Sequence, residues 1–250
     1  MRTPGEIPEI SRPLLALFSK YAAAYLAKHF HSIRLLGAVP PNDLSRPIVV
    51  FLNHAAWWDP LVCLFLRNKL FHRRSAFAPI EASALARYGF LKKIGFFGVE
   101  QGTTRGAAQF IGTSCAILEQ AENALFLTPQ GGFADVRAPL NFAPGIAHLA
   151  ARSREVIFLP LAIEYSFWEE RKPEVLLAFG EPMLPEDGTK LVDRLAQAQA
   201  QLVAAAIRRE PEEWRILLRS RSGVSRPYDL WRWLRARLRG EGFRADHGQL

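Results

Sequence analysis

Cysteine is scarce in this chain, and that scarcity excludes two classes of protein. Only Cys63 and Cys115 occur among 250 residues. Two thiols in apolar, helix-compatible surroundings form neither a disulfide framework nor a metal-site spacing, and they fit a reducing compartment. His29, His31, His72, His148 and His247 show no ligand spacing either, so a metal hydrolase is not expected. No uncharged run reaches the roughly 18–20 residues needed to span a bilayer. The stretch from Met1 to Pro8 is too polar and proline-rich for a secretory signal. No internal repeat or low-complexity tract stands out, and no nucleic-acid-binding module accompanies the basic charge.

What is present is a large apolar fraction, 49%, ample for the core of one α/β domain with a small appendage. The net charge of +8 and a pI near 9.9 favour an anionic partner. Residues 1–10 read as a flexible lead. Leu14, Leu15, Phe18, Tyr21, Ala22, Tyr25, Leu26 and Phe30 recur at helical spacing, predicting an amphipathic helix from about Ser11 to Phe30. Such a helix either packs on the core or lies in a lipid head-group region. Gly37 to Arg46 reads as a turn-rich connector.

Beyond it, apolar strand patterns alternate with helical ones. Strands are expected at 47–52, 75–80, 95–100, 124–128, 156–165 and 174–180. Helices are expected at 61–70, 83–88, 104–120 and 144–153. Strand and helix in alternation predict an α/β fold with a mixed, mainly parallel sheet flanked by helices. The tail changes character. Helices are expected at 190–209, 211–219 and 227–239, with the residues after Gly240 as a disordered end. From Arg208 to Leu250 there are eleven arginines against six acids, which supplies +5 of the net charge. Trp231 and Trp233 lie among Arg232, Arg235, Arg237 and Arg239, a composition that suits a membrane–water interface or simply a solvated basic face. The chain thus divides into an N-terminal amphipathic helical segment (1–36), an α/β core (37–185) and a C-terminal helical, Arg/Trp-rich segment (186–250).

The most informative stretch is Asn53-His54-Ala55-Ala56-Trp57-Trp58-Asp59-Pro60. The apolar run before it reads as a buried strand, and Asp59-Pro60 opens a helix. A histidine is therefore expected on a strand-to-helix turn, with a carboxylate five residues later at the helix start. An aspartate can hold one imidazole nitrogen while the other accepts a proton from substrate. Asp59 can equally serve as a helix N-cap, and Trp57 and Trp58 as a greasy wall or as packing anchors.

Four blocks in fixed order extend this motif. His54 and Asp59, preceded by Asn53, resemble the first block of the PlsC-like glycerolipid and lysophospholipid acyltransferases. Gly95-Phe96-Phe97-Gly98-Val99-Glu100-Gln101 is similar to the second, with Gln101 where the family carries a phosphate-binding Arg and Arg105 four residues on. Thr128-Pro129-Gln130-Gly131-Gly132-Phe133 resembles the third, usually Phe-Pro-Glu-Gly-Thr-Arg, but lacks its Glu and Arg. Val156 to Ala162, around Pro160, is similar to the fourth. The blocks span roughly residues 45–165 and mark a divergent member.

The resemblance implies a membrane-surface O-acyltransferase. His54 and Asp59 would be the catalytic base and its partner. Gln130 and Gly131 would form the oxyanion and acyl-donor loop, and Asn53, Gln101 and Arg105 would contact the acceptor. The acyl group would move from acyl-CoA or acyl carrier protein, as co-substrate, to a lipid hydroxyl. No metal or bound cofactor is implied. Membrane lipids are the expected partners, nucleic acid is not, and the expected location is peripheral, on the cytoplasmic face. Replacement of both arginines by neutral residues suggests an acceptor other than lysophosphatidate. Two other readings fit the same residues. One is a catalytically degenerate lipid- or acyl-binding protein, and the other is a His-Asp thioesterase or hydrolase.

Overall fold

The computed structural model describes residues 6–39, 44–184, 188–220 and 226–239. The expected lead at 1–5, the middle of the connector at 40–43 and the tail from residue 240 lie outside them. Residues 6–10 are not a free lead. Pro8 is buried, Ile10 packs against the core, and Ser11 N–H donates to the Lys93 carbonyl at 2.8 Å.

The elements in order are α1 (Arg12–His29), β1 (Ser32–Leu36), β2 (Ile48–Leu52), α2 (Asp59–Leu70), β3 (Ser75–Glu81), α3 (Ala82–Arg87), β4 (Phe96–Val99), α4 (Thr104–Ile117), β5 (Asn123–Leu127), α5 (Gly145–Ala150), β6 (Ile157–Ser166), β7 (Glu174–Phe179), α6 (Gly188–Arg208), β8 (Trp214–Arg219) and α7 (Arg226–Leu238). Short 3-10 turns cover Gly89–Ile94 and Pro211–Glu213. The strands form one sheet in the order β4-β3-β5-β2-β6-β7-β1-β8. Pairing is parallel except at β6–β7 and β1–β8. The α/β expectation of a mixed, mainly parallel sheet flanked by helices therefore holds.

Strand alternation divides the core between the two faces. Ile48, Val50 and Leu52 of β2 face α1 and α2, with Leu26, Val62 and Leu66. Val49 and Phe51 face the other way, with Ile117 of α4, Ile146 and Leu149 of α5, and Leu191, Leu195 and Leu202 of α6. A strand covered on both faces needs apolar residues at every position, and β2 and β5 are buried throughout.

Three sequence expectations are corrected. Residues 32–36 form a strand, β1, between β7 and β8. Arg34 interrupts its apolar pattern, yet is buried because its Nε meets Glu174 Oε2 at 3.2 Å and its guanidinium lies 4.8 Å from the Trp168 ring. Residues 214–219 are a strand, not part of a helix. β1 would otherwise show an open edge, and pairing with it overrides helical spacing in a six-residue run. β3 continues past Pro79 to Glu81. It pairs with β5 only as far as Phe77, and Ala78 N–H turns to the carbonyl of Gly95, the residue just before β4. The missing N–H of Pro79 thus falls on the side where pairing with β5 has already stopped.

The Arg34–Glu174 pair gives a stability prediction. Glu174→Leu leaves a buried guanidinium uncompensated and costs about 3–5 kcal/mol. Arg34→Met combined with Glu174→Leu restores most of that loss. Urea unfolding of the two variants measures the difference.

Candidate active site

β2 ends at Leu52, and the next side chain continues the sheet in place of the main chain. Asn53 Oδ1 accepts the Ile163 N–H and its Nδ2 donates to the Ile163 carbonyl, both at 2.9 Å. Asn53 is buried and both of its polar atoms are engaged by β6. Its place is a clasp between strands, and the acceptor-contacting role expected for it is not available to those atoms.

The clasp sets His54 at the carboxyl edge of the sheet, where parallel α/β sheets present their reactive groups. His54 Nδ1 lies 2.7 Å from Asp59 Oδ2. Asp59 is the first residue of α2, with Trp58 at the N-cap, so the expectation of Asp59 as a cap is corrected. Its carboxylate turns back into the 54–59 turn instead. Oδ2 also accepts the Ala56 N–H at 3.1 Å, and Oδ1 accepts the Tyr165 O–H at 2.6 Å. The Asp59 side chain is 1% exposed and that of His54 is 17% exposed. A carboxylate that accepts at Oδ2 requires the proton on Nδ1, which leaves Nε2 with a lone pair; the tautomer follows from the hydrogen-bond network. The positive end of α2 adds favourable charge beside Asp59.

The loop after β5 grips the His54 main chain from two sides. Gln130 Oε1 accepts the His54 N–H at 2.7 Å, and Ala134 N–H donates to the His54 carbonyl at 2.9 Å. Gly131 has φ +72°, a conformation that favours glycine, and its N–H donates to the Thr128 carbonyl at 3.1 Å. That N–H is engaged by its own turn, so within the expected oxyanion loop of Gln130 and Gly131 the Gly131 amide is already taken. Among the described residues, the next two amides, of Gly132 and Phe133, donate no backbone hydrogen bond. The Phe133 ring sits 4.3 Å from the His54 ring, tilted 43°, and is 63% exposed.

Gln101 and Arg105 stand apart. Gln101 lies in the turn after β4 and Arg105 in the first turn of α4, both exposed. Gly106 allows this turn to close, because a Cβ there would lie 1.9 Å from the Glu100 carbonyl oxygen. β4 is three strand spacings from β2, about 14 Å along the same carboxyl edge. The structure thus brings His54, Asp59, Asn53, Gln130 and Gly131 together and leaves the other two at the far end of that edge. A cavity of about 410 Å³ lies near them, lined by Leu85, Phe97, Gly98, Glu100 and Thr113 among others, and does not reach His54.

Trp58 packs edge-on against Phe30 at 4.9 Å, whereas Trp57 is exposed. Cys63 sits one helical turn beyond Asp59. Burial, reinforced by that carboxylate, pushes its thiol upward and keeps it protonated. No group of three or more His, Cys, Asp or Glu among the described residues is placed to hold a metal.

Two residues at the site escape a motif-based reading. Phe133 takes the position of an expected arginine. Tyr165 lies within an apolar strand, where its only signal is that a buried phenol needs a partner for its O–H.

Neither family models nor curated proteins match this chain. Among solved structures it is similar to the crystal structure of the 1-acyl-sn-glycerophosphate (LPA) acyltransferase PlsC from Thermotoga maritima. The identity is 16%, the TM-score 0.52, and the match covers 76% of this chain and 79% of the other. The likeness is one of fold.

The loop clamp is open to test. Gln130→Leu leaves the His54 N–H without an acceptor and destabilises by about 1–3 kcal/mol. Gln130→Glu keeps an acceptor there and stays closer to the parent in urea unfolding.

Proposed function

We propose that this protein is an O-acyltransferase that works at a membrane surface, with His54 as general base and Asp59 as its partner. The observation that carries the reading is the 2.7 Å contact between His54 Nδ1 and Asp59 Oδ2, which leaves Nε2 as the proton acceptor. The fold it shares with a PlsC acyltransferase supports the same chemistry.

Nε2 takes the proton of an acceptor hydroxyl as its oxygen bonds to the carbonyl carbon of an acyl thioester. Negative charge gathers on the carbonyl oxygen, where amides of the Gly132–Phe133 segment would donate. The carbon–sulfur bond then breaks, and the departing thiolate takes the proton back from the imidazolium. Coenzyme A or acyl carrier protein would bring the acyl group. Both are acidic, and the +8 charge favours their approach. No acyl-enzyme is needed, and the thiol of Cys63, held protonated, is poorly suited to form one.

The acceptor in this reading carries no phosphate monoester. Gln101, Gln130 and Phe133 stand where the resemblance would place charged residues. The nearby Arg137 is held by Asp135 through Nε at 2.8 Å and Nη2 at 2.7 Å. A lysolipid with another head group, or a lipid bearing a sugar hydroxyl, fits better.

Two surfaces support a peripheral, cytoplasmic-side membrane location. α1 exposes Leu17 and Tyr21, and Tyr21, Tyr25, Trp58 and Trp57 follow in successive ring contacts of 5.5–5.6 Å toward the His54 turn. α7 exposes Trp231, Leu234 and Leu238, with Arg235 over Trp231 and Arg237 over Trp233. Tryptophan with arginine suits the head-group layer. No described helix is long and apolar enough to cross a membrane.

Purified protein, acyl-CoA or acyl carrier protein, and vesicles holding a panel of hydroxyl lipids test the activity by mass spectrometry. Transfer is expected to a neutral-headgroup acceptor in preference to lysophosphatidate. His54→Ala lowers it by about 10²–10⁴-fold. Lipid binding without turnover would point to a non-catalytic protein, and full thioester hydrolysis without acceptor to a hydrolase. Vesicle flotation checks the surface. Trp231→Ala with Trp233→Ala weakens binding to anionic vesicles, and added salt weakens it further.

A further inference from the structure

We propose that Tyr165 is a positioning residue for the His54–Asp59 pair, acting through the hydrogen bond from its O–H to Asp59 Oδ1. The inference rests on the reading of His54 as a base, and it assigns a role outside the motif that suggested that reading.

The accounting of the carboxylate carries it. Oδ2 serves two donors, His54 Nδ1–H and Ala56 N–H, whereas Tyr165 supplies the hydrogen bond to Oδ1. The Asp59 side chain is 1% exposed, which excludes water as a ready substitute. A carboxylate can turn about its last bond with little intrinsic preference. A second donor at the distal oxygen removes that freedom and fixes the plane in which Oδ2 meets His54. Tyr165 can fix it because it is fixed itself. It sits on β6 beyond the residue clasped by Asn53, and its ring packs 5.6 Å from Phe30 at the end of α1. Burial and the adjacent carboxylate push its hydroxyl well above the usual phenol range, so it remains a donor throughout the working pH range.

The bond has an electrostatic effect of known sign. A proton donated to Oδ1 draws charge away from the carboxylate and weakens its support for a positive imidazolium. Removing the donor favours the imidazolium and demands a higher pH for activity. Strengthening the donor does the reverse.

Two substitutions at one position separate this role from simple packing. In Tyr165→Phe, kcat is expected to fall about tenfold with KM nearly unchanged. The acidic limb of its kcat/KM profile should move to higher pH by roughly half to one unit. The His54 Nδ1–H proton resonance should move with it. Site-specific replacement of Tyr165 by 3-fluorotyrosine, a stronger donor of nearly the same shape, should move both in the opposite direction. Opposite shifts support the inference. Absent shifts, or shifts in one direction for both variants, overturn it. If Tyr165→Phe does not fold, the fluorinated variant decides against the parent alone. If the parent transfers no acyl group, the acyltransferase reading fails, and the Nδ1–H resonance still decides the role of Tyr165.

Discussion

A carboxylate sealed from water must have its lone pairs occupied, and the region around His54 is arranged to occupy those of Asp59. The donors come from separate parts of the chain: the imidazole and amide of the 54–59 turn, and a phenol from β6 more than a hundred residues later. None can be withdrawn cheaply, because an unsatisfied buried charge costs more than the hydrogen bond that satisfied it. The geometry of His54 is therefore held by the sheet itself. If β2 and β6 slipped by one residue, Tyr165 would turn to the opposite face and Asp59 would lose a partner. Asn53 guards against such a slip by clasping Ile163 through both of its amide atoms.

Charge is distributed with equal economy. The residues that touch the His54 main chain are neutral, and Gln130 accepts its N–H without adding a second negative group beside Asp59. A glutamate there would place two carboxylates around one imidazole and would favour its charged form. Cations are concentrated instead on the outer elements. α1 carries Arg12, Lys20 and Lys28 with no acid, and the Arg pairs of α7 lie against its tryptophans. The cationic surface is thereby kept apart from the neutral groups around the His54 main chain.

Much of this was legible in the sequence, for local reasons. The Asn53–Pro60 stretch announces a strand-to-helix turn because proline and aspartate act on the backbone next to them. The alternating core strands appear because both faces are buried and every position is apolar. What escaped depends on distant partners. β1 was hidden by Arg34, which is tolerable only once Glu174 and Trp168 enclose it. β8 took the spacing of a helix because its partner strand, β1, lies far upstream in the sequence, where Leu36 pairs with Trp214. The loop of Gln130 and Gly131 was read as an oxyanion site, and only the folded turn shows the Gly131 N–H directed at Thr128. Tyr165 carried no motif at all. Its meaning arises when β6 sets it beside α2.

The same packing ties the surface to the buried acid. Tyr25 and His29 of α1 lie against Trp58, Trp58 lies against Phe30, and Phe30 against Tyr165, which holds Asp59. Each link is a ring contact, and the buried Phe30 lies between the partly buried Trp58 and Tyr165. The helix that exposes Leu17 and Tyr21 on one side is thus part of the support for Asp59 on the other. Removing α1 would take away Tyr25 and His29, two of the rings packed on Trp58, as well as an exposed face. The N-terminal helix is thus tied by ring contacts to the turn that carries His54 and Asp59.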